Sequence, residues 1–135
     1  VIMKVLAIAL LALGTLAAAP ADKDTQRFLD AVKRVETGAG SGLGVVGDNG
    51  KALGPMQIHK VYWIDSRVSG LYEQCGTSRE YSDRVVLAYM QRYAPRALAE
   101  KNWEVLARIH NGGPKGHQKK ATVGYWNKVK KEMSK

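Results

Sequence analysis

Residues 34–54 read RVETGAGSGLGVVGDNGKALG, and the fold class turns on how this stretch is parsed. Six glycines fall between positions 38 and 50, with Glu36 just ahead of them and Asp48 among them, twelve positions further on. Before the glycines, apolar residues at Phe28, Leu29, Val32 and Val35 recur at helical spacing behind Asp24 or Thr25, either of which can accept from the free amides of a first turn. Gly38 tolerates the left-handed conformation found past helix ends, so this helix is expected to close near Glu36. Val45 and Val46, the turn sequence GDNG and then KALG follow, which reads as a small β-hairpin. A helix that runs directly into a hairpin predicts α and β structure in one unit.

The rest of the chain reads as helix. The run MQIHKVYWIDSRV (56–68) predicts a short helix, and TSREYSDRVVLAYMQRYAP (77–95) a long one. The long one opens on Thr77 three places before Glu80, a capping-box spacing, and closes before Pro95. Its Val85, Val86, Tyr89, Met90 and Tyr93 form one face. Asn102 can cap WEVLARIH, which stops at NGGP, and Thr122 can cap VGYWNKVKKEM, where Tyr125, Trp126, Val129 and Met133 line up at three and four. No repeat or low-complexity linker interrupts the series. The expected fold class is α+β, mostly α, with one small β-hairpin beside the first helix.

Ahead of this unit, MKVLAIALLALGTLAAAPA (3–21) carries one Lys, an apolar run and then small residues in the A-x-A style of a secretory signal peptide. Its apolar part, Val5 to Ala19, is short of the roughly 20 residues that cross a bilayer. Residues 1–21 are therefore expected to be a cleaved leader, with residues 22–135 as the working domain of an exported protein, extracellular or periplasmic, without stable membrane association. Such a length buries enough surface to fold without a metal or a disulfide scaffold. The single cysteine, Cys75, has no internal partner and reads as a buried or half-buried thiol.

The whole chain has 21 basic and 12 acidic side chains, a formal +9. This balance favours a polyanionic neighbour through long-range attraction, and for an exported protein an envelope polymer fits better than nucleic acid, for which there is no recognised binding motif. PKGHQKK (114–120) and KVKKEMSK (128–135) are the denser basic patches. The histidines His59, His110 and His117 show no metal-ligand spacing, so no metal or other cofactor is expected. A monomer is expected.

Glu36 and Asp48 occupy unlike settings. Carbonyl ends of peptide dipoles at a helix C-terminus disfavour a negative charge on Glu36, and desolvation against Val32 and Val35 acts the same way. Asp48 lies in a polar turn that keeps a carboxylate solvated. One carboxyl suited to donate a proton and one suited to stay ionised are what cleavage of a glycosidic bond needs. The residues alone favour the plainer reading, an ordinary surface glutamate and a turn-forming aspartate, and proximity depends on the hairpin folding back over the helix end.

The segments ALGPMQIHKVYWID, AYMQRY, LARIHNGGPKG and ATVGYWNKV follow the glutamate in this order. Together they resemble the invertebrate-type (destabilase-family) lysozymes over nearly all of residues 31–130. The order of Glu, GPMQI and HNGGP also resembles the wider lysozyme-like superfamily, including lytic transglycosylases. The resemblance implies a lysozyme-like domain, a glycoside hydrolase that cuts the β-1,4 bond between N-acetylmuramic acid and N-acetylglucosamine in peptidoglycan. It carries the proton donor onto Glu36 and the nucleophile or stabiliser onto Asp48. Gln57 would line the cleft floor, His59, Tyr62 and Trp63 would add a wall, and His110, Asn111 and Gly112 would bind sugar amides from the opposite side. Tyr62 and Trp63 read equally as core, while Trp103, Tyr125 and Trp126 read as core.

One departure from the family is large. Its members are typically rich in disulfides, whereas ALGPMQI stands here where a Cys-Gly is usual and KGHQKK where a Gly-Cys is usual. The chain resembles a disulfide-poor branch. Altered loops that carried Asp48 away from Glu36 would leave a lytic transglycosylase using Glu36 alone. A non-catalytic cationic wall-binding or antimicrobial protein is the alternative outside enzymes. Some family members resemble isopeptidases, but no signature here brings a Ser and a Lys together.

Overall fold

The first helix, α1 (Lys23–Thr37), starts two to three residues earlier than expected because Asp22, and not Asp24 or Thr25, caps it. Asp22 Oδ1 accepts from the backbone N–H of Asp24 at 3.0 Å and of Thr25 at 3.1 Å, and Oδ2 accepts from the Thr25 hydroxyl at 2.9 Å. The computed structural model describes residues 19–135, so all but Ala19–Ala21 of the expected leader lies outside the described residues. Phe28, Leu29, Ala31 and Val32 of α1 are fully buried. Glu36 comes four residues after Val32 and seven after Leu29, so it continues this inward stripe. Gly38 ends the helix at φ +79°, its N–H donating to Arg34 O at 2.9 Å.

The hairpin forms as expected and gains a third strand. Strands β1 (Val46–Gly47), β2 (Ala52–Leu53) and β3 (Ile58–His59) make an antiparallel sheet in the order β1-β2-β3, with Val46 opposite Leu53 and Leu53 opposite Ile58. At the β1–β2 turn Asn49 (φ +55°) and Gly50 (φ +87°) are both left-handed, and Lys51 N–H donates to Asp48 O at 3.2 Å. Asn-Gly suits a turn of this hand because its twist matches that of the strands. The helix expected from Met56 starts only at Lys60: Ile58 is buried at the sheet edge and pairs with Leu53, and α2 spans Lys60–Ser66. A short apolar run of this kind has no periodicity that separates strand from helix.

Beyond the sheet come α3 (Gln74–Thr77), α4 (Arg79–Tyr93), α5 (Pro95–Ala99), α6 (Trp103–Gly112) and α7 (Val123–Met133). Thr77 does not cap α4, since it ends α3; Ser78, extended and immediately before the helix, accepts from Tyr81 N–H at 3.1 Å. Asn102 caps α6 through Val105 N–H at 3.3 Å. The Thr122 hydroxyl does not cap α7; it faces the preceding loop, within 2.7 Å of Gly116 O and 2.9 Å of Lys119 O, and accepts from Arg108 Nε at 2.9 Å.

Helix α1 packs on α7, α7 on α6, and α4 on α2, α3, α5 and α6. Their shared core contains Phe28, Leu29 and Val32, Met56 and Ile58, Val85, Val86 and Met90, Leu106 and Ile109, and Val129. Each large apolar side chain so enclosed contributes about 1.5–3 kcal/mol. Cys75 is free and fully buried in this core, and burial pushes its thiol up to about 11. Gly54 (φ +71°) lies so close to the Cys75 carbonyl that a Cβ would collide with it, which seats α3 directly against the sheet. The hydrophobic core, with no cross-link, holds the sheet beside the end of α1.

Candidate active site

Glu36 sits in the last turn of α1 with its side chain 20 % exposed. Two groups approach it, and both approach Oε1. The Tyr125 hydroxyl of α7 donates to Oε1 at 2.8 Å, and Nε2 of His110, near the end of α6, lies 3.5 Å away. No hydrogen bond among the described residues reaches Oε2. The two oxygens are therefore unequal: Oε1 is committed to a donor, and a proton on the acid form belongs on Oε2.

The His110 ring is fixed from both sides. Nε2 lies 3.2 Å from Met56 O, which can only accept, so Nε2 carries a proton. In the neutral ring Nδ1 then accepts from the Tyr62 hydroxyl at 2.9 Å. The Tyr62 ring in turn stacks on Tyr89 of α4, centroids 3.6 Å apart and 9° from parallel. The chain Tyr62, His110, Glu36, Tyr125 thus links α2, α6, α1 and α7 with polar contacts over an apolar base. Burial, aided by Tyr89, holds the Tyr62 phenol well above the usual tyrosine range, and burial together with the Glu36 charge does so for Tyr125. Both remain hydroxyl donors at neutral pH.

Asp48 follows β1 at φ +48°, a conformation Asp adopts more readily than most residues. Its Oδ2 lies 3.2 Å from Nε2 of His59, the end of β3. The two side chains are 59 % and 49 % exposed, so this is a water-facing pair of small energy. Gln57 (φ +50°) lies between the two clusters, its Nε2 donating to Gly54 O at 2.9 Å and near Val45 O at 3.3 Å. Its amide oxygen lies against Gly47, where any side chain would collide with it. The segment Met56–His59 therefore joins the groups, with Met56 O on His110, Gln57 over the strand before Asp48, and His59 on Asp48. The Thr37 hydroxyl, 3.1 Å from Pro55 O, ties the end of α1 to the same segment.

The remaining candidates separate. Trp63 is half-buried and spends its indole N–H on the Tyr81 hydroxyl at 2.8 Å, so its polar edge faces inward. Asn111 is exposed, and its side chain makes no hydrogen bond among the described residues. Gly112 packs against α7's lead-in, where a Cβ would come 2.5 Å from Thr122 Cγ2. Trp103 stacks on Phe28, centroids 4.9 Å apart, and Trp126 packs against the core as expected. Tyr125 meets its expectation and adds to it. It packs against the core but carries the hydroxyl that holds Glu36. Its spacing with Trp126, Val129 and Met133 is that of any core stripe, so periodicity gave no sign of this contact.

The site thus has a half-enclosed carboxyl, Glu36, with one oxygen free of hydrogen bonds among the described residues, and a solvent-facing carboxylate, Asp48, on the β1–β2 turn. An apolar groove of about 730 Å³ between α1 and α4, lined by Ala21, Leu29, Leu87 and Leu98 among others, contains none of these side chains.

The family model described as Destabilase matches residues 26–132. A lysozyme of Meretrix lusoria is 38 % identical over 109 residues, covering 79 % of this chain and 88 % of that protein. An invertebrate-type lysozyme of Ruditapes philippinarum is 34 % identical over 109 residues, covering 79 % and 80 %. The crystal structure of Tapes japonica lysozyme superposes with a TM-score of 0.69 at 34 % identity, over 78 % of this chain and 88 % of that one.

Proposed function

Because this chain belongs to the destabilase family of invertebrate-type lysozymes, we propose that it is a muramidase that hydrolyses the β-1,4 bond between N-acetylmuramic acid and N-acetylglucosamine in peptidoglycan. Glu36 is the general acid and Asp48 the nucleophile or electrostatic stabiliser. The observation that carries this reading is the one-sided environment of Glu36: Tyr125 and His110 both converge on Oε1 and leave Oε2 free. In the reaction Oε2–H protonates the glycosidic oxygen as the C–O bond breaks. Asp48 meets the developing positive charge at the anomeric carbon, by attack or by field. Glu36, now ionised, takes a proton from the water that completes hydrolysis. Gln57, His59, Tyr62, Trp63, His110, Asn111 and Gly112 remain the residues assigned to substrate binding, with Tyr62 and His110 acting through their hold on one another and on Glu36.

Residues 1–21 act as a cleaved leader in this proposal, and the mature protein works outside the cytoplasm as a monomer. Among the described residues no helix is long and apolar enough to cross a membrane. The test is turbidity clearing of purified peptidoglycan by the protein and by Glu36→Gln and Asp48→Asn, with mass analysis of the fragments. Turnover is expected to fall about a hundred- to ten-thousandfold in Glu36→Gln, the scale of removing a general acid, while wall binding persists. Equal clearing by all three proteins refutes the assignment and leaves a cationic wall-binding protein. The pairing of Asp48 with His59 supports one second reading, a lytic transglycosylase using Glu36 alone. Its products end in a 1,6-anhydro sugar, whereas hydrolysis leaves a reducing end.

A further inference from the structure

The loop that leads from Glu36 to the hairpin of Asp48 has an outer side. There Lys33 and Arg34, near the end of α1, face Arg79, the first residue of α4, across a recess of about 390 Å³ rimmed by Ala39, Gly40 and Ser41. Lys33 is only 6 % exposed, and its Nζ donates to Gly38 O at 2.6 Å. No carboxylate among the described residues lies within ion-pair distance of it. Arg34 is exposed, and its guanidinium makes no hydrogen bond among the described residues. Arg79 gives Nε to Asp83 at 2.7 Å and Nη2 to Asp30 at 2.8 Å. Asp30 is the one carboxylate lining the recess, and it also accepts from Gln26 at 3.1 Å.

Three cations therefore line the recess against one carboxylate that is already shared. Burial first, and then the like charges of Arg79 and Arg34, pull Lys33 below the usual lysine range, and the opposing charge of Asp30 does not offset them. The rim adds donors of another kind. The backbone N–H groups of Ala39, Gly40 and Ser41 have no acceptor among the described residues. Consecutive free amides beside a guanidinium fork and an ammonium form the usual donor set for an oxyanion.

We propose that this recess is an anion subsite that seats one carboxylate or phosphate group of the bacterial wall polymer. The wall as its source rests on the muramidase reading; the binding of an oxyanion does not. Stem-peptide carboxylates and the phosphates of wall polyol chains share the chemistry the recess recognises. Seated there, such a group pins the loop joining Glu36 to Asp48 while the glycan is cleaved on the other side.

The experiment is an amide-shift titration of the ¹⁵N-labelled protein with sodium phosphate, sodium acetate and sodium chloride at fixed ionic strength. Gly40 and Ser41 should shift and saturate with phosphate or acetate but not with chloride, and the tighter of the two identifies the source as phosphate or carboxylate. Arg34→Gln should weaken that binding about tenfold, the loss of one charge-assisted contact, and Asp30→Asn should strengthen it. Shifts that stay linear, match those of chloride, or survive Arg34→Gln overturn the subsite. Since binding is read without turnover, the result stands even if Glu36→Gln proves fully active. For the wall assignment, Arg34→Gln should raise KM for peptidoglycan severalfold more than for a neutral N-acetylglucosamine oligomer; equal changes on both overturn it.

Discussion

Tyr125→Phe removes one oxygen and leaves the ring packing of α7 in place, so it isolates what the phenol does for Glu36. The bond at stake is 2.8 Å long and ends on a carboxyl oxygen only 20 % exposed as a side chain. In the acid form Oε1 is a neutral carbonyl oxygen, and a hydrogen bond to such an acceptor is worth about 0.5–1.5 kcal/mol. Without it Oε1 retains only His110, whose Nε2 is 3.5 Å away and already shared with Met56 O. If the phenol's share of that energy holds the carboxyl in its working orientation, the oriented population falls about two- to tenfold. Substrate binding is untouched, so the loss belongs in kcat, with KM held within about twofold. Steady-state kinetics on peptidoglycan fragments, beside a thermal melt, measure both. A kcat within about twofold of the parent at an unchanged melting midpoint would refute the reasoning and return Tyr125 to the core. A fall in kcat matched by gross unfolding would refute it equally, since the argument requires the packing to survive.

Three further outcomes are expected. His59→Gln breaks a water-facing polar contact, so stability should change by less than about 0.5 kcal/mol, while kcat drops severalfold if His59 orients Asp48; a kcat equal to that of the parent would show that Asp48 needs no such support. Burial holds the Cys75 thiol neutral up to about 11 against an ordinary 9.0. The unfolded chain releases this proton first, so stability should fall as pH rises from about 9 to about 11, by roughly 2–3 kcal/mol; urea midpoints at pH 7.5, 9 and 10.5 measure it, and Cys75→Ala should flatten the slope. At the other end, the Thr25 amide, followed by Lys101 and the Thr25 hydroxyl, holds Asp22 well below the usual carboxylate range. A depressed carboxylate stabilises the fold above its unfolded value near 4 and loses that effect as pH falls towards its folded one. Asp22→Ala should therefore melt a few degrees below the parent at pH 7, and the gap should close in strong acid; a gap independent of pH contradicts the charged cap.

The limits of reading this chain locally show in its caps. Asn102 was legible because the acceptor, the amide it satisfies and the following apolar stripe lie within four residues. Thr77 and Thr122 have the same local credentials, yet Ser78 takes the first cap and the loop at Gly116 takes the second threonine's hydroxyl. Helices α1, α4, α6 and α7, the Asn-Gly turn and the family pattern of Glu36 with Asp48 rest on spacings of a few residues or on motif order, which a one-dimensional string preserves. The strand at Ile58–His59 needed partners five and seven residues back, Leu53 and Ala52, to exist at all. The hold on Glu36 needed a hydroxyl 89 positions away, brought there by the packing of α1 against α7. Sequence alone determined the four long helices, because backbone preference and amphipathic period act between near neighbours, and motif order pointed to the two carboxyls to suspect. Tertiary structure alone decided which oxygen of Glu36 is free, because that depends on side chains from α6 and α7 that meet only when the shared core closes.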